Sequence, residues 1–504
     1  MSVGEGVAPP AEDVSVGAIG RKAGRGLRWS VAGTLATKVG SFATGLVLAR
    51  LLAPADFGVF AVAMAATYFM MHVNDVGLIA AGVQWRGRFE DMVPTGTLLA
   101  VACSVACYVA CWFFAPAFAE LAGSPGATPL VRLLTSVILI DGITAIRVAA
   151  LQRRFQQDRL VTANFAGFVV QAAVSVTLAA HDAGAFSFAV GQVAGAAVTG
   201  GVILVVAKVP PTLGLDRAVA VRLLRFGVPL AASLGVEAVL MNADYVIVGR
   251  LLGPTALGFY LLAFNVSNWV PGVIGMAVRY VSVAGFSRLS EGVGDLAQGV
   301  QRAIPLMIAF VLPVGVVMGV LAPALVQVLY GDQWLPSAEV LQFLTVLMVV
   351  RMVSGLAFDV LIGAGAINRA FWLTVGWTVA LVPALVWGTK LGGIQGTAVA
   401  HAVVAVLVAG PLVALTLRGL GIRLAPIGSA VVRPVLGGCL AAAACLAVAR
   451  ATDFAPLLEL LAAGMAALVT YLAVALTPTQ LRRLATRVRH PALGPGSSTT
   501  EEVR

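Results

Sequence analysis

The sequence predicts an all-α integral membrane protein built from two similar halves, and three observations lead to this fold class. Of its 504 residues, 60% are hydrophobic and only 11% are charged, with a mean hydropathy of +0.96. Apolar segments of membrane length follow one another along most of the chain. A nine-residue segment, RLLAPADFG at 50–58, recurs as RLLGPTALG at 250–258. A globular protein of this composition would aggregate, so we expect the bilayer to be its solvent.

The apolar segments predict about fourteen transmembrane helices. A hydrocarbon core about 30 Å thick requires about 20 apolar residues in helical conformation. The predicted spans are 27–52, 57–83, 94–118, 130–151, 160–180, 185–207, 226–251, 257–283, 303–330, 336–363, 370–389, 393–417, 431–449 and 455–477.

Lys and Arg predict the orientation of these spans. Most of them fall in the N-terminal arm, on alternate connections and in the C-terminal tail. On the other side the prediction leaves Arg50, Arg132, Arg250, Lys390 and Arg450. Because basic residues are enriched in cytoplasmic connections, both termini are expected inside the cell, in a multi-pass protein of the inner (cytoplasmic) membrane.

The repeat predicts the domain organisation. Six spans separate its two copies, so both copies face the same way and the halves are parallel repeats. The predicted parts are a cytoplasmic arm (1–26), an N-terminal six-helix bundle (27–207), a cytoplasmic connector (208–225), a C-terminal six-helix bundle (226–417), two further helices (431–477) and a basic cytoplasmic tail (478–504). Alternating access, in which one half moves against the other around a central site, needs this kind of duplication.

Polar residues at membrane depth mark the candidate site, because ionisable groups there usually face a cavity or one another. Span 1 carries a stripe with Thr34, Lys38 and Ser41, and span 4 carries Arg132 and Arg147 near its ends, where long side chains reach the interface. The other candidates on spans 2, 7, 8 and 10 are Asp75, Glu237, Asp244, Asn265, Asn268, Arg279 and Arg351. The alternative for the hydroxyl residues is that they pack helices together.

The 200-residue offset suggests two charge pairs. Lys38 and Glu237 are expected at similar depth on equivalent helices, and Asp75 and Arg279 nearer the cytoplasm. We expect Asp75–Arg279 to act as an inner gate and Lys38–Glu237 to lie near the substrate. In the alternative, each charge bonds within its own bundle.

No metal site or cofactor is expected. Cys103, Cys107 and Cys111 form a stripe on span 3 without a His or an acid beside them, which favours packing. His72 and His401 are possible proton carriers, although each fits a hydrogen-bonded interior His better. No nucleotide-binding loop or nucleophile elbow is present in the sequence.

Several motifs together resemble one family. They are Trp29-Ser30, the segment 50–58, DVGL at 75–78 before Gln84, RFGVP at 225–229, and DYVIVGRLLGP at 244–254. With these motifs, from about residue 20 to 420, the chain resembles the Wzx-type polysaccharide biosynthesis flippases of the multidrug/oligosaccharidyl-lipid/polysaccharide exporter superfamily. Asp75 and Asp244 match the family pattern without a known role.

The resemblance implies a V of two six-helix bundles plus two C-terminal helices. It implies translocation of a polyprenyl-pyrophosphate-linked oligosaccharide across the cytoplasmic membrane. A pyrophosphate needs cations, which Lys38, Arg279 and Arg351 would supply. Thr34, Ser41, Asn265 and Asn268 would bind the sugars. The partners implied are the lipid-linked oligosaccharide and possible polymerase and glycosyltransferases; the chain is expected to be a monomer that binds no nucleic acid.

Two other functions stay open at this point. A cation-coupled multidrug exporter of the same superfamily usually has twelve spans and acidic cavity residues, whereas Lys38 occupies span 1 here. A membrane polymerase or glycosyltransferase generally needs a large outer loop with catalytic groups. The longest outer loop expected here, 119–129, has Glu120 as its only acid, so an enzyme is not expected.

Overall fold

The computed structural model describes residues 16–75, 78–83, 85, 87–288, 296–451 and 455–475, and all regular structure in these ranges is helical. The helices are α1 (Val16–Leu51), α2 (Pro54–Asp75), α3 (Leu78–Val83), α4 (Phe89–Leu121), α5 (Thr128–Thr135), α6 (Val137–Arg153), α7 (Gln157–Ala180), α8 (Phe186–Val206), α9 (Arg217–Leu252), α10 (Pro254–Arg288), α11 (Leu296–Val320), α12 (Ala322–Tyr330), α13 (Pro336–Gly363), α14 (Ile367–Val404), α15 (Gly410–Gly419), α16 (Ala425–Ala451) and α17 (Pro456–Ala475). The predicted all-α membrane fold is confirmed.

Ten helical stretches of the described residues are long and apolar enough to cross a membrane. The predicted spans 27–52, 226–251 and 257–283 lie in α1, α9 and α10, which are not among these ten. One of the ten, Asn368–Gly419, has 52 residues and covers two predicted spans. The number fourteen itself stays a prediction.

The chain reverses direction inside α14. Gly392 and Gly393 leave the helical conformation, and Gly393 has a φ of 59°. The hydroxyls of Thr389 and Thr397 lie 2.8 Å apart, whereas eight residues of continuous helix would separate them by about 12 Å. Two antiparallel helices therefore meet here, at the junction between the predicted spans 370–389 and 393–417.

The start of α9 differs from the prediction. The helix begins at Arg217, inside the segment predicted as a connector, and Asp216 caps it. The Asp216 carboxylate accepts hydrogen bonds from the backbone N–H groups of Ala218 and Val219, at 2.8 and 3.1 Å. Such a cap satisfies donors that the first helical turn leaves open. The hydropathy window missed this turn because it is basic rather than apolar.

The chain forms two compact units. The first consists of Met1–Leu262 with Thr378–Thr397, and the second of Ala263–Trp377 with Ala398–Arg504. The core of the first unit includes Leu78, Met92, Ile146 and Leu151, all almost fully buried. In the second unit α16 and α17 pack on each other and on α11, and the Tyr471 hydroxyl donates to the Ala309 carbonyl at 2.6 Å. The predicted bundle boundary at 208–225 stays a prediction.

Candidate functional site

The two copies of the repeated segment pack against each other in the first unit. A Cβ atom on Gly58 would overlap the carbonyl of Pro254, and a Cβ atom on Gly258 would overlap the carbonyl of Pro54. The two contacts are equivalent under the 200-residue offset. We call residues 50–58 and 250–258 the hairpin pair.

The sequence of each copy explains this close approach. Pro54 and Pro254 are the first residues of α2 and α10, a position where proline costs no hydrogen bond. The glycine four residues later has no side chain, so the opposing backbone can come into contact with it. Both glycines are therefore required by the contact rather than by a turn.

The end of α4 adds to the same region. Gly123, with a φ of 72°, lies against the carbonyl of Gly249, and Gly249 lies against the carbonyl of Ala122. The Arg250 guanidinium donates to the Glu120 carbonyl at 3.2 Å. The ends of α4 and α9 are thus joined beside the hairpin pair.

The first hairpin is tied to a neighbouring loop through Asp56. Its carboxylate accepts from the N–H of Ala53 at 3.1 Å and from the N–H of Ala185 at 3.2 Å. Phe60 also stacks on Phe188 of α8, with ring centroids 4.4 Å apart. The equivalent of Asp56 in the second copy is Ala256, which has no carboxylate to form such bonds.

The second hairpin has a polar link of its own. Asp244 of α9 is 1% exposed and accepts a hydrogen bond of 2.9 Å from the Tyr260 hydroxyl of α10. Its other oxygen accepts from the N–H of Tyr245 at 3.0 Å. The equivalents of Asp244 and Tyr260 in the first copy are Thr44 and Phe60, which cannot form this bond.

In the second unit the structure brings two predicted site residues together. The Arg351 guanidinium donates to the Asn268 side-chain carbonyl at 2.9 Å, and its central carbon lies 5.7 Å from the centroid of the Phe264 ring. The Asn268 amide donates in turn to the Phe264 backbone carbonyl at 2.9 Å. This arrangement fixes a half-buried guanidinium, the group best shaped for bidentate binding of phosphate.

The predicted polar stripe on α1 divides into two sets. Thr37 and Thr44 donate to the carbonyls of Gly33 and Gly40, both at 2.9 Å. These two glycines face α7, where a Cβ would overlap Val161 or Phe168. Lys38 and Ser41 are exposed, and Thr34 is half-buried. Asn265 of α10 is exposed as well.

Some predicted residues cannot be placed in the site. The side chains of Asp75, Glu237 and Arg279 lie outside the described residues. The suggested pairs Asp75–Arg279 and Lys38–Glu237 therefore stay predictions.

A polar cluster in the first unit was not predicted. Asn74 is 3% exposed; its amide donates to the Asp141 carboxylate at 3.3 Å, and its oxygen accepts from the Ser104 hydroxyl at 2.9 Å. These bonds join α2, α4 and α6. Polar residues within three successive spans were the signal that could have indicated the cluster.

The position of Arg147 differs from the sequence prediction. It was expected to reach the membrane interface, yet it is 4% exposed and donates to the Ile143 carbonyl at 2.7 Å. The surrounding helices cover it, because α6 packs on α3, α4 and α8. The guanidinium of Arg132 lies 4.6 Å from the Trp112 ring centroid, and its position at the interface stays a prediction.

The remaining candidates are unremarkable in their contacts. The His72 Nδ1 lies 2.7 Å from the Tyr68 carbonyl oxygen, and His401 is buried near the Phe264 ring. Cys111 is buried, and Cys103 and Cys107 are half-buried. Within the described ranges, no group of three or more His, Cys, Asp or Glu residues is placed to hold a metal ion.

Solved structures define the class of fold. The lipid II flippase MurJ matches with a TM-score of 0.76 at 13% identity, covering 90% of this chain and 99% of that chain. An inward-facing multidrug resistance MATE family transporter of the MOP superfamily matches with a TM-score of 0.61 at 17% identity, covering 78% and 99%. The fold is therefore that of membrane flippases and exporters.

The family follows from the sequence itself. A family model described as polysaccharide biosynthesis protein matches residues 47–339, more than half of the chain, and the chain belongs to this family. A relative is the succinoglycan biosynthesis transport protein ExoT of Rhizobium meliloti (strain 1021), 23% identical over 73% of this chain and 75% of its own. The family resemblance noted in the sequence is confirmed.

Proposed function

We propose that this protein is a flippase that moves a polyprenyl-pyrophosphate-linked oligosaccharide across the cytoplasmic membrane, for the synthesis of a cell-surface polysaccharide. Membership of the polysaccharide biosynthesis family supports the pathway. The observation that carries the proposal is the hairpin pair, in which Gly58 and Gly258 contact the opposing copies of the repeat.

The hairpin pair supports alternating access for a physical reason. Two backbones in direct contact leave no space for a sugar between them, so the protein is closed where they meet. The contact consists of main-chain surfaces and glycines, without a disulfide or a buried ion pair among its described contacts. It can therefore separate and re-form during transport. We propose that the hairpin pair is the extracytoplasmic gate.

The substrate site is proposed from the cationic and amide residues. We propose that Arg351, held by Asn268 and Phe264, binds the pyrophosphate. Lys38 and Arg279 are the further cations that the sequence suggests for it. Guanidinium groups keep their charge in partly buried sites and bind two phosphate oxygens at once. Thr34, Ser41, Asn265 and Asn268 offer hydroxyl and amide groups for sugars.

Gating, topology and partners complete the proposal. We propose that Asp75, Glu237 and Asp244 take part in gating or coupling, and that residues 208–225 form the cytoplasmic connector between two bundles. Both termini lie in the cytoplasm of a cell whose inner membrane holds the protein as a monomer. A polymerase and glycosyltransferases are its proposed pathway partners.

Transfer in reconstituted vesicles tests the function. The purified protein is placed in vesicles with a fluorescent polyprenyl-pyrophosphate oligosaccharide, and a membrane-impermeant quencher reports the leaflet that the label occupies. We expect protein-dependent exchange between leaflets, and loss of most of it in Arg351→Ala. The matched control is Arg132→Ala, which removes an arginine held by Trp112 outside the proposed site.

The same vesicles distinguish the alternatives. Export of a small organic cation without movement of the oligosaccharide would identify a multidrug exporter. Joining of oligosaccharide units would identify a polymerase. Equal activity of Arg351→Ala and the wild type would refute the substrate site but leave the flippase assignment in place.

A further inference from the structure

An apolar cavity of about 430 Å³ lies in the first unit. Its walls come from α2, α4, α5 and α9, with one residue of α14. Phe69, Phe114 and Phe118 form its aromatic side, while Ala115 and Ala243 lie on opposing helices. The cavity therefore lies between helices of the first repeat (α2, α4 and α5) and α9, the first helix of the second repeat.

The chemistry of the walls excludes most ligands. Asn242 is the one amide among the described lining residues, and its Nδ2 donates to the Ala238 carbonyl at 2.9 Å. Among the lining residues that the structure describes, there is no lysine, arginine, histidine, acid or hydroxyl residue. A phosphate or a sugar placed there would lose its hydration without gaining hydrogen bonds.

The size indicates a hydrocarbon occupant. A cavity of about 150 Å³ with apolar walls stays free of water and admits benzene, and this cavity is considerably larger. Water needs two to four polar partners in such a space, which these walls do not offer. An apolar chain fills the space without that requirement.

The cavity continues into a surface that suits lipid. Phe114 lines it and is also 70% exposed, and the adjacent Phe113 is 74% exposed. Exposed aromatic side chains in succession on a spanning helix are expected to contact the bilayer. A lipid chain can therefore enter the cavity from the surrounding membrane.

We propose that the apolar cavity binds an acyl chain of a membrane phospholipid, which stabilises the packing of α9 against α2 and α4. We choose a phospholipid as the occupant because the cavity reaches the exposed Phe114, beside Phe113, and so adjoins the bilayer, whose chains are mostly those of phospholipids. The bound chain would fill part of the apolar space between these helices. This site is independent of which substrate the protein transports.

A photoreactive phospholipid tests the proposal. The purified full-length protein is reconstituted with a phosphatidylglycerol that carries a diazirine on one acyl chain, irradiated, and digested for mass spectrometry. We expect adducts on Met70 and Phe118 within the cavity and on the exposed Phe113. Ala115→Phe and Ala243→Phe fill the cavity from opposite walls and should lower the Met70 and Phe118 adducts at least fivefold. The Phe113 adduct should be unchanged.

The control variant is Val109→Phe, which adds the same ring at an exposed position of α4 outside the cavity. It should leave all adducts as in the wild type. Because Ala115 is buried, Ala243→Phe keeps the test valid if Ala115→Phe does not fold. The proposal is overturned if Met70 and Phe118 acquire no adducts, or if the filled variants label like the control. It is also overturned if a diazirine-bearing polyprenyl phosphate labels the cavity and the phospholipid does not.

Discussion

The carboxylate of Asp244 and the hydroxyl of Tyr260 form a buried hydrogen bond of 2.9 Å that joins the two helices of the second hairpin. The first hairpin has no equivalent bond and is tied instead through Asp56 to the N–H of Ala185. The two hairpins therefore make equivalent backbone contacts with each other, but different side-chain hydrogen bonds hold them in place. The second hairpin is braced internally, while the first is fixed to the loop before α8.

Removing the Tyr260 hydroxyl should destabilise the protein. Tyr260→Phe leaves the buried Asp244 with one partner fewer, and hydrogen bonds to charged groups contribute roughly 1.5–3 kcal/mol. We expect a lower Tm in detergent and a further decrease in Asp244→Ala, with the double variant close to the worse single variant. Tyr68→Phe, at a tyrosine that is 40% exposed, serves as control. Additive effects in the double variant would show that the bond contributes nothing.

Alanine at either glycine of the hairpin pair should separate the two copies. Gly58→Ala and Gly258→Ala each force a methyl group into an opposing carbonyl, and overpacking of this kind costs about 1–3 kcal/mol. Both variants should lose thermal stability by similar amounts, because the contacts are equivalent. A cysteine placed at Thr255 should also react more readily with thiol reagents in both variants.

Gly45→Ala is the matched control, since nothing lies within 4 Å of a Cβ atom at that position. Alanine within a helix is favoured over glycine by about 0.5–1 kcal/mol, so this variant should be unchanged or more stable. If Gly58→Ala behaved like Gly45→Ala, the hairpins would not be in contact in the membrane.

Cysteine labelling should establish the orientation. The five native cysteines are replaced first. Ala55→Cys and Thr255→Cys should then react with an impermeant maleimide added to intact cells. Leu213→Cys, at a position 66% exposed, should react only after the membrane is opened; Asp216 is avoided because it caps α9. Labelling of Leu213→Cys in intact cells would show that the orientation is opposite to the one proposed.

A charge exchange tests the suggested inner gate. Asp75→Arg and Arg279→Asp should each reduce oligosaccharide transfer, because a charge stranded in a low-dielectric site costs roughly 3–5 kcal/mol. The double exchange should restore part of the transfer. A double variant no better than the worse single variant would show that the residues do not pair, and each charge would then bond within its own bundle.

The sequence allowed much of the helical architecture to be predicted. Span length follows from hydrocarbon thickness, so the reversal at Gly392–Gly393 was predicted to within a few residues. The repeat also identified the hairpins correctly. It showed that Gly58 and Gly258 are equivalent, but not that they contact each other's copy, because equivalence in sequence does not determine distance.

The site was harder to predict because the hydropathy of a residue does not show whether its side chain faces lipid or a neighbouring helix. Arg147 and Arg132 lie in the same predicted span, yet one is buried by helices and the other lies on a tryptophan. The Asn74 cluster similarly depends on which three helices become neighbours. Of the predicted binding residues, Arg351 and Asn268 contact each other, a pairing across 83 positions that no local pattern indicates.

The contact between Gly58 and Pro254 can form only late in the synthesis of the protein. At about 5–20 residues per second, a ribosome needs roughly 10–40 s to add the segment that separates the two positions. During that time the first hairpin has no second copy to contact. Ala185, the partner of Asp56, is synthesised about 70 residues before Pro254, so the Asp56 carboxylate can bind its N–H group before the second hairpin exists. The second hairpin is synthesised after the first and can contact it at once, and its own link, between Asp244 and Tyr260, is local in sequence.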